Sequence, residues 1–315
     1  MDEIAVISGK RANLGVAARD FKYYIFDWDD NILHMATRIH FENRRPDGSW
    51  RLHKVSTAAF TVLRKDTENW RPPDGDWEKA FTEFRDHAGE SESQFLSDTR
   101  AALEKVMRGE AAPGPSFDAL RETLREGRLF AIVTARGHEE VSLKKAVRLF
   151  IDVVLSPEER REMVANLRGY RACFDHYTEP DPDERQIEYY LGKNLYCAVT
   201  NPAFKRRMES EGGVPRPEEA KQFAFKNFID HVVRILEETG AAALKRPISV
   251  GFSDDDTGNV KAIVDYIQSE LSARFPNIKF CVYDTSNPAL PARKLTVSGQ
   301  LGFDFPDSPE PDAPV

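Results

Sequence analysis

Residues 22–31 read KYYIFDWDDN, and this decamer decides the fold. Its first half is a short aromatic and β-branched run, as expected of a buried strand. Its second half turns abruptly into a polar loop that places Asp27 and Asp29 at the strand's C-terminal edge. In extended backbone, residues two apart point the same way, so this spacing aims two carboxylates into one site. Two close carboxylates repel unless a cation or proton intervenes. An isolated Asp-x-Asp is more often an exposed acidic turn, so its meaning rests on the rest of the chain.

The same event recurs twice. Residues 129–133 (LFAIV) run into TARG, and 248–252 (ISVGF) run into SDDDTGN. Helical stripes lie between, with Phe117, Leu120 and Leu124 before the second strand and Val260, Ile263, Val264, Ile267 and Leu271 after the third. Further strands are predicted at 151–155 (IDVVL) and 278–283 (IKFCVY). Strands alternating with helices predict an α/β fold: a Rossmann-like parallel sheet of about five strands, helices on both faces, and ligands beyond the strands' carboxyl ends.

This core takes residues 1–33, 116–156 and 217–295. The segment 34–115 breaks the alternation and reads as an inserted cap: a hairpin turning at Pro46, Asp47 and Gly48, then helices around 77–85 and 92–107. A second insertion, 157–216, is rich in charge and proline; its most apolar part, 190–204, reads as a packed mini-core. Residues 296–315 form a proline-rich acidic tail with the composition of a disordered segment.

The 315-residue chain carries a net charge of −8, so nothing draws polyanions to it globally, and a nucleic-acid role needs a local basic patch. Cys173, Cys197 and Cys281 are odd in number and lack metal-ligand spacing, which predicts reduced thiols, chiefly packed in the core, in a cytoplasmic protein. The N-terminal MDEIAVISGKRANLG lacks the pattern of a secretory signal, and no run approaches the ~20 apolar residues of a membrane span.

Chemistry is suggested where the polar clusters converge. Thr134 offers a hydroxyl and an N–H to a phosphate oxygen, and Arg136 in the same turn offers a guanidinium. Asp254, Asp255 and Asp256, followed by Gly258 and Asn259, exceed what a helix cap requires. Asp254 with Asp255 can complete an oxygen shell around Mg2+, a hard cation, with Asn259 orienting its neighbours. A lysine is needed to offset phosphate and carboxylate charge; Lys221, at the start of a helix with a buried side, is preferred over Lys226.

The ordered set DWDDN (27–31), AIVTARG (131–137), Lys221 and SVGFSDDDTGN (249–259) resembles the four motifs of the haloacid dehalogenase superfamily, over about residues 22–285. The resemblance implies that Asp27 is a nucleophile and Asp29 a general acid/base. It implies that Asp27, the backbone carbonyl of Asp29 and Asp254 hold Mg2+ with Asp255 in support, and that Thr134 and Lys221 grip the phosphoryl group. An Asp two residues after the nucleophile is typical of that family's phosphatases. Asn31 departs from the usual Thr or Val, and Ser253 from the Gly that often precedes the last acid.

The expected activity is therefore Mg2+-dependent hydrolysis of a phosphate monoester through an aspartyl phosphate, with a phosphorylated small molecule as substrate. A receiver domain also phosphorylates an Asp beside Mg2+, but its acids come early and its Thr and Lys last, unlike the order here. Two alternatives remain. One is nucleic-acid end processing, suggested by Arg44, Arg45, Arg51 and Lys54 on the hairpin with Trp50 and Trp70 as stacking surfaces; the other is a catalytically silent binding protein.

Overall fold

The computed structural model describes residues 16–89, 92–213, 216–241, 246–287 and 293–297. The N-terminal fifteen residues and the tail from 298 onward, on which the signal-peptide and acidic-tail expectations fall, lie outside the described residues. The protein is α/β. Its strands in chain order are β1 (Phe21–Phe26), β2 (Ile39–Arg44), β3 (Trp50–Val55), β4 (Trp70–Arg71), β5 (Phe130–Thr134), β6 (Leu195–Ala198), β7 (Ile248–Asp254), β8 (Ile278–Asp284) and β9 (Arg293–Val297).

The main sheet has the order β6-β5-β1-β7-β8-β9. Its first five members are parallel and β9 returns antiparallel along the edge of β8. This strand order puts β1 at the centre, with β5 on one side and β7 on the other. The polar loops after these three strands thereby meet at one edge, as a parallel sheet requires.

Alternating side chains on each strand feed two cores. Phe21, Tyr23, Ile25, Ala131, Val133, Val250 and Phe252 face the helices Pro217–Glu238 and Thr257–Tyr266. Phe26, Phe130 and Ile132 face the helices Gln94–Met107, Phe117–Arg125, Glu140–Val154, Pro157–Phe174 and Asp183–Lys193. Each fully buried Phe or Leu contributes roughly 1.5–3 kcal/mol, so a sheet covered on both faces is a rigid base for the loops above it.

Two expectations are corrected. Residues 151–155, predicted as a strand, end the helix Glu140–Val154, in which Leu143, Ala146, Val147, Phe150, Ile151 and Val154 are all buried. A short apolar run is locally ambiguous, and here the 3.6-residue stripe running back to Leu143 decides for helix. The remaining parallel strand is instead β6, inside the segment read as a second insertion and a mini-core. Only four residues long and at the sheet edge, it carries too little pattern to stand out.

The cap hairpin forms as read. β2 and β3 pair antiparallel from Ile39↔Val55 to Arg44↔Trp50, and β4 adds to the other edge of β2. Gly48 takes φ 82° at the turn, the left-handed region that glycine enters without steric cost. Ile39, Phe41, Phe60 and Ala80 form a core of its own. Cys197 and Cys281 are buried and Cys173 is exposed, all three as free thiols; burial pushes the Cys197 thiol up to about 12. No helix among the described residues is long and apolar enough to cross a membrane.

Candidate active site

Asp27 follows directly on β1 and its N–H donates to the Ser253 carbonyl at 3.0 Å, prolonging the β1–β7 ladder. Asp254 ends β7 and is fully buried. Ligand oxygens of Asp27, Asp254 and Asp255 all lie within 4.8 Å of one another, close enough to share one cation. One Asp27 carboxylate oxygen, Oδ1, is buried without a hydrogen-bond donor. Its nearest cation, Lys221 Nζ at 3.4 Å, forms an ion pair without a hydrogen bond, and a metal ion is a natural further partner for the atom.

Lys221 reaches this group from the helix Pro217–Glu238, on whose buried side it precedes Ala224 and Phe225 by one turn. Its Nζ donates to Asp254 Oδ2 at 2.6 Å and lies 3.4 Å from Asp27 Oδ1. Lys226 points elsewhere and pairs with Asp230 at 3.0 Å. Packing thus brings Lys221 and not Lys226 to the acids: residue 221 shares the core face, and residue 226 pairs on the helix with Asp230.

The electrostatics of the cluster are strained. Burial pushes the Asp27 carboxyl well above the usual carboxylate range; Lys221 opposes this, while Asp254, Asp29 and Asp255 add to it. Burial and the charge of Asp254 push Asp255 up to about 7. Burial favours the neutral amine of Lys221, but Asp254 and Asp27 outweigh it and hold the ammonium above its ordinary range. One lysine thus faces three carboxylates, a deficit that a divalent cation would correct.

Asp254 is oriented from a second side, since Asn259 Nδ2 and the Asp256 N–H donate to its Oδ1 at 3.1 and 3.0 Å. Asn259 therefore orients the acid, as expected. Asp256 has the capping role, accepting from the N–H groups of Gly258 and Asn259 at the start of the next helix. The acidic run thus divides its work between capping and the cluster.

Asp29 belongs to a different group. Arg136, almost wholly buried, grips it in two-pronged fashion, with Nε 2.8 Å from Oδ2 and a terminal nitrogen 2.6 Å from Oδ1. Thr134 donates to Oδ2 at 3.2 Å. Burial works against ionisation, but the charge and hydrogen bonds of Arg136 and the Thr134 hydroxyl hold Asp29 below the usual carboxylate range. Arg136, expected as a phosphate ligand, is placed against a carboxylate of the chain itself. The Asp29 carboxylate stands outside the three-acid cluster, and its carbonyl accepts the Asn31 N–H at 2.6 Å.

Arg136 also donates to Thr37 at 2.7 Å and stacks over Phe84 and Phe95. Thr37 donates in turn to Asp98, and Asp98 accepts from Gln94. The buried His138 meets Asp86, whose other oxygen takes the Glu139 N–H and the Ser142 hydroxyl. From the far side Asn201 donates to the carbonyls of Gly137 and His138. The turn after β5 is thus fastened to the cap segment on one side and to the end of β6 on the other.

Sequence reading missed Thr37, Asp86, Asp98, His138 and Asn201. Only Asn201, preceding Pro202 at a helix start, carried a local signal. On the hairpin, Trp70 stacks on Phe41 and Trp50 lies under Arg71 at 4.2 Å, so both rings have partners within the cap. Lys54 is paired with Glu83, while Arg44, Arg45 and Arg51 are exposed near the tip. Compared with known protein families, with curated proteins and with solved structures, the chain matches none of them.

Proposed function

We propose that this protein is a Mg2+-dependent phosphatase of the haloacid dehalogenase type, with Asp27 as nucleophile and a phosphorylated small molecule as substrate. The observation that carries the reading is the close group of buried Asp27, Asp254 and Lys221 with half-buried Asp255 at the carboxyl edge of the sheet, in which an Asp27 oxygen accepts no hydrogen bond. Four residues from three separated stretches of sequence meet there, in the order and strand context that the motifs imply. Residues present fit a divalent ion: Asp27, Asp254 and Asp255 would hold it. When bound, it would neutralise charge on the transferring phosphoryl group.

In the first step an Asp27 oxygen attacks phosphorus, the bond from phosphorus to the leaving oxygen breaks, and Asp29 supplies that oxygen's proton. In the second, Asp29 takes a proton from water, the water oxygen bonds to phosphorus, and the aspartyl–phosphorus bond breaks. Lys221 offsets charge throughout, and Thr134 steadies a phosphoryl oxygen. Paired with Arg136, Asp29 rests as the carboxylate, the form that the second step uses. Its acid role in the first step calls for the side chain to turn away from Arg136 and take up from solvent the proton that it then passes to the leaving oxygen.

The test is a screen of phosphorylated metabolites and of 3′- and 5′-phosphorylated oligonucleotides with Mg2+. Release of phosphate that requires both Mg2+ and Asp27 supports the reading. No turnover on the whole panel, together with no Mg2+ affinity, would leave a silent binding protein instead. Salt-dependent preference for the oligonucleotides would transfer the substrate assignment to nucleic-acid ends.

A further inference from the structure

The two positions at which the sequence departs from the family pattern touch each other. Asn31 Nδ2 donates to the Ser253 hydroxyl at 3.0 Å, to the Asp27 carbonyl at 3.0 Å and to the Ser253 carbonyl at 3.2 Å. Its Oδ1 accepts the Thr285 hydroxyl at 2.9 Å. Thr285 follows β8, and its own N–H donates to the Asp254 carbonyl at 3.1 Å. Asn31, Ser253 and Thr285 are all buried.

The main chain of Asn31 is held as firmly. Its carbonyl accepts the Ser116 N–H at 2.8 Å, and Gly114 approaches so closely that a Cβ there would stand 2.5 Å from that oxygen. A side chain with both its amide groups saturated, on a backbone pinned from behind, has one arrangement available.

We propose that Asn31, Ser253 and Thr285 form a clamp that sets the spacing of Asp27 and Asp254 and so fixes the geometry of the cation site. This rests on the functional reading above, but concerns residues that touch neither phosphate nor metal; they are positioning residues. The clamp joins the ends of β1, β7 and β8 at the backbone of the very residues whose carboxylates repel. Without it the repulsion between Asp27 and Asp254 would be relieved by parting the strand ends. Partners one shell out from a metal ligand commonly govern affinity by about 10–100-fold. A valine at 285 matches threonine in shape but leaves Asn31 Oδ1 buried and unpaired, which loosens the amide.

The experiment is calorimetric titration of Mg2+ into the chelator-stripped full chain, with thermal unfolding of each variant recorded alongside. Thr285→Val is expected to weaken Mg2+ binding about tenfold, Asn31→Leu by more, and Thr285→Ser, which keeps the hydroxyl, to bind as the parent does. Ile267→Val, a core change remote from the clamp, is expected to lower the unfolding temperature without moving the affinity. Should Asn31→Leu fail to fold, Thr285→Val and Thr285→Ser carry the comparison alone. Parent-like affinity in Thr285→Val, while Asp254→Asn loses binding, overturns the clamp and leaves the phosphatase reading standing. Affinity that merely follows unfolding temperature across all variants, Ile267→Val included, also overturns it. No Mg2+ binding by the parent protein would remove both.

Discussion

Arg136 meets Asp29 with a two-pronged pairing completed by Thr134 and Thr37, whereas Lys221 stands between Asp27 and Asp254 with too little positive charge for the carboxylates around it. Both groups lie at least half-buried and both combine a cation with acids, yet one holds the Asp29 carboxylate low and the other drives the Asp27 carboxyl high. Burial is the largest cause in each case, so the difference lies in partners. A planar guanidinium can satisfy a carboxylate outright; a single ammonium cannot satisfy three. The first arrangement is complete within the protein, and the second is a group that could hold a metal ion.

The largest expected effect falls on chemistry. Asp27→Asn keeps the shape of the side chain but removes the attacking charge, and phosphate release should fall by at least about a thousandfold. Retained Mg2+-dependent turnover in the purified variant would refute the nucleophile assignment. Next is stability at the finished pair. Arg136→Leu leaves the half-buried Asp29 without its cation and should cost about 1.5–3 kcal/mol in urea unfolding, a loss that Mg2+ does not recover.

The unfinished site should respond in the opposite way to the ion. Parent protein at a Mg2+ concentration of about 100 times Kd should gain about 2.7 kcal/mol over chelator-treated protein. No shift in unfolding midpoint would abolish the contrast between the two sites.

The pH dependence sharpens it further. With Asp255 pushed up to about 7 from an ordinary 3.8, the native metal-free protein keeps a proton that the unfolded chain releases. Asp255 therefore makes metal-free stability fall as pH rises from about 4 to about 7, and Mg2+ affinity rise over the same span. Titrating Mg2+ at intervals across that window checks both directions, since binding should release protons near its lower half. The smallest effect is a control: Lys226→Ala removes an i,i+4 pair with Asp230 and should change stability by no more than about 0.5 kcal/mol, with turnover unaltered.

Much of the fold was readable because its signals are local. Strands β1, β5, β7 and β8 announce themselves as apolar runs that stop at polar clusters, and the hairpin by its Pro-Asp-Gly turn. The failures have a shared cause. Residues 151–155 and 195–198 are both short and apolar, and neither contains enough residues to tell a helix end from an edge strand. Length and position in the sheet decide such segments, and neither is written in a window of five residues.

That acids gather at the strand ends follows from the sequence by itself, because an apolar run and the polar residues that end it are local; the expected sharing of one site by Asp27 and Asp29 did not follow, since Asp29 turns to Arg136 and Asp27 joins Asp254 and Asp255. Tertiary structure alone decided which cation each acid meets. Arg136 pairs with Asp29 across 107 positions and Lys221 with Asp254 across 33, while Thr285 reaches Asn31 across 254. Contacts over such separations are set by how helices pack and strands order around β1, and no local pattern encodes them.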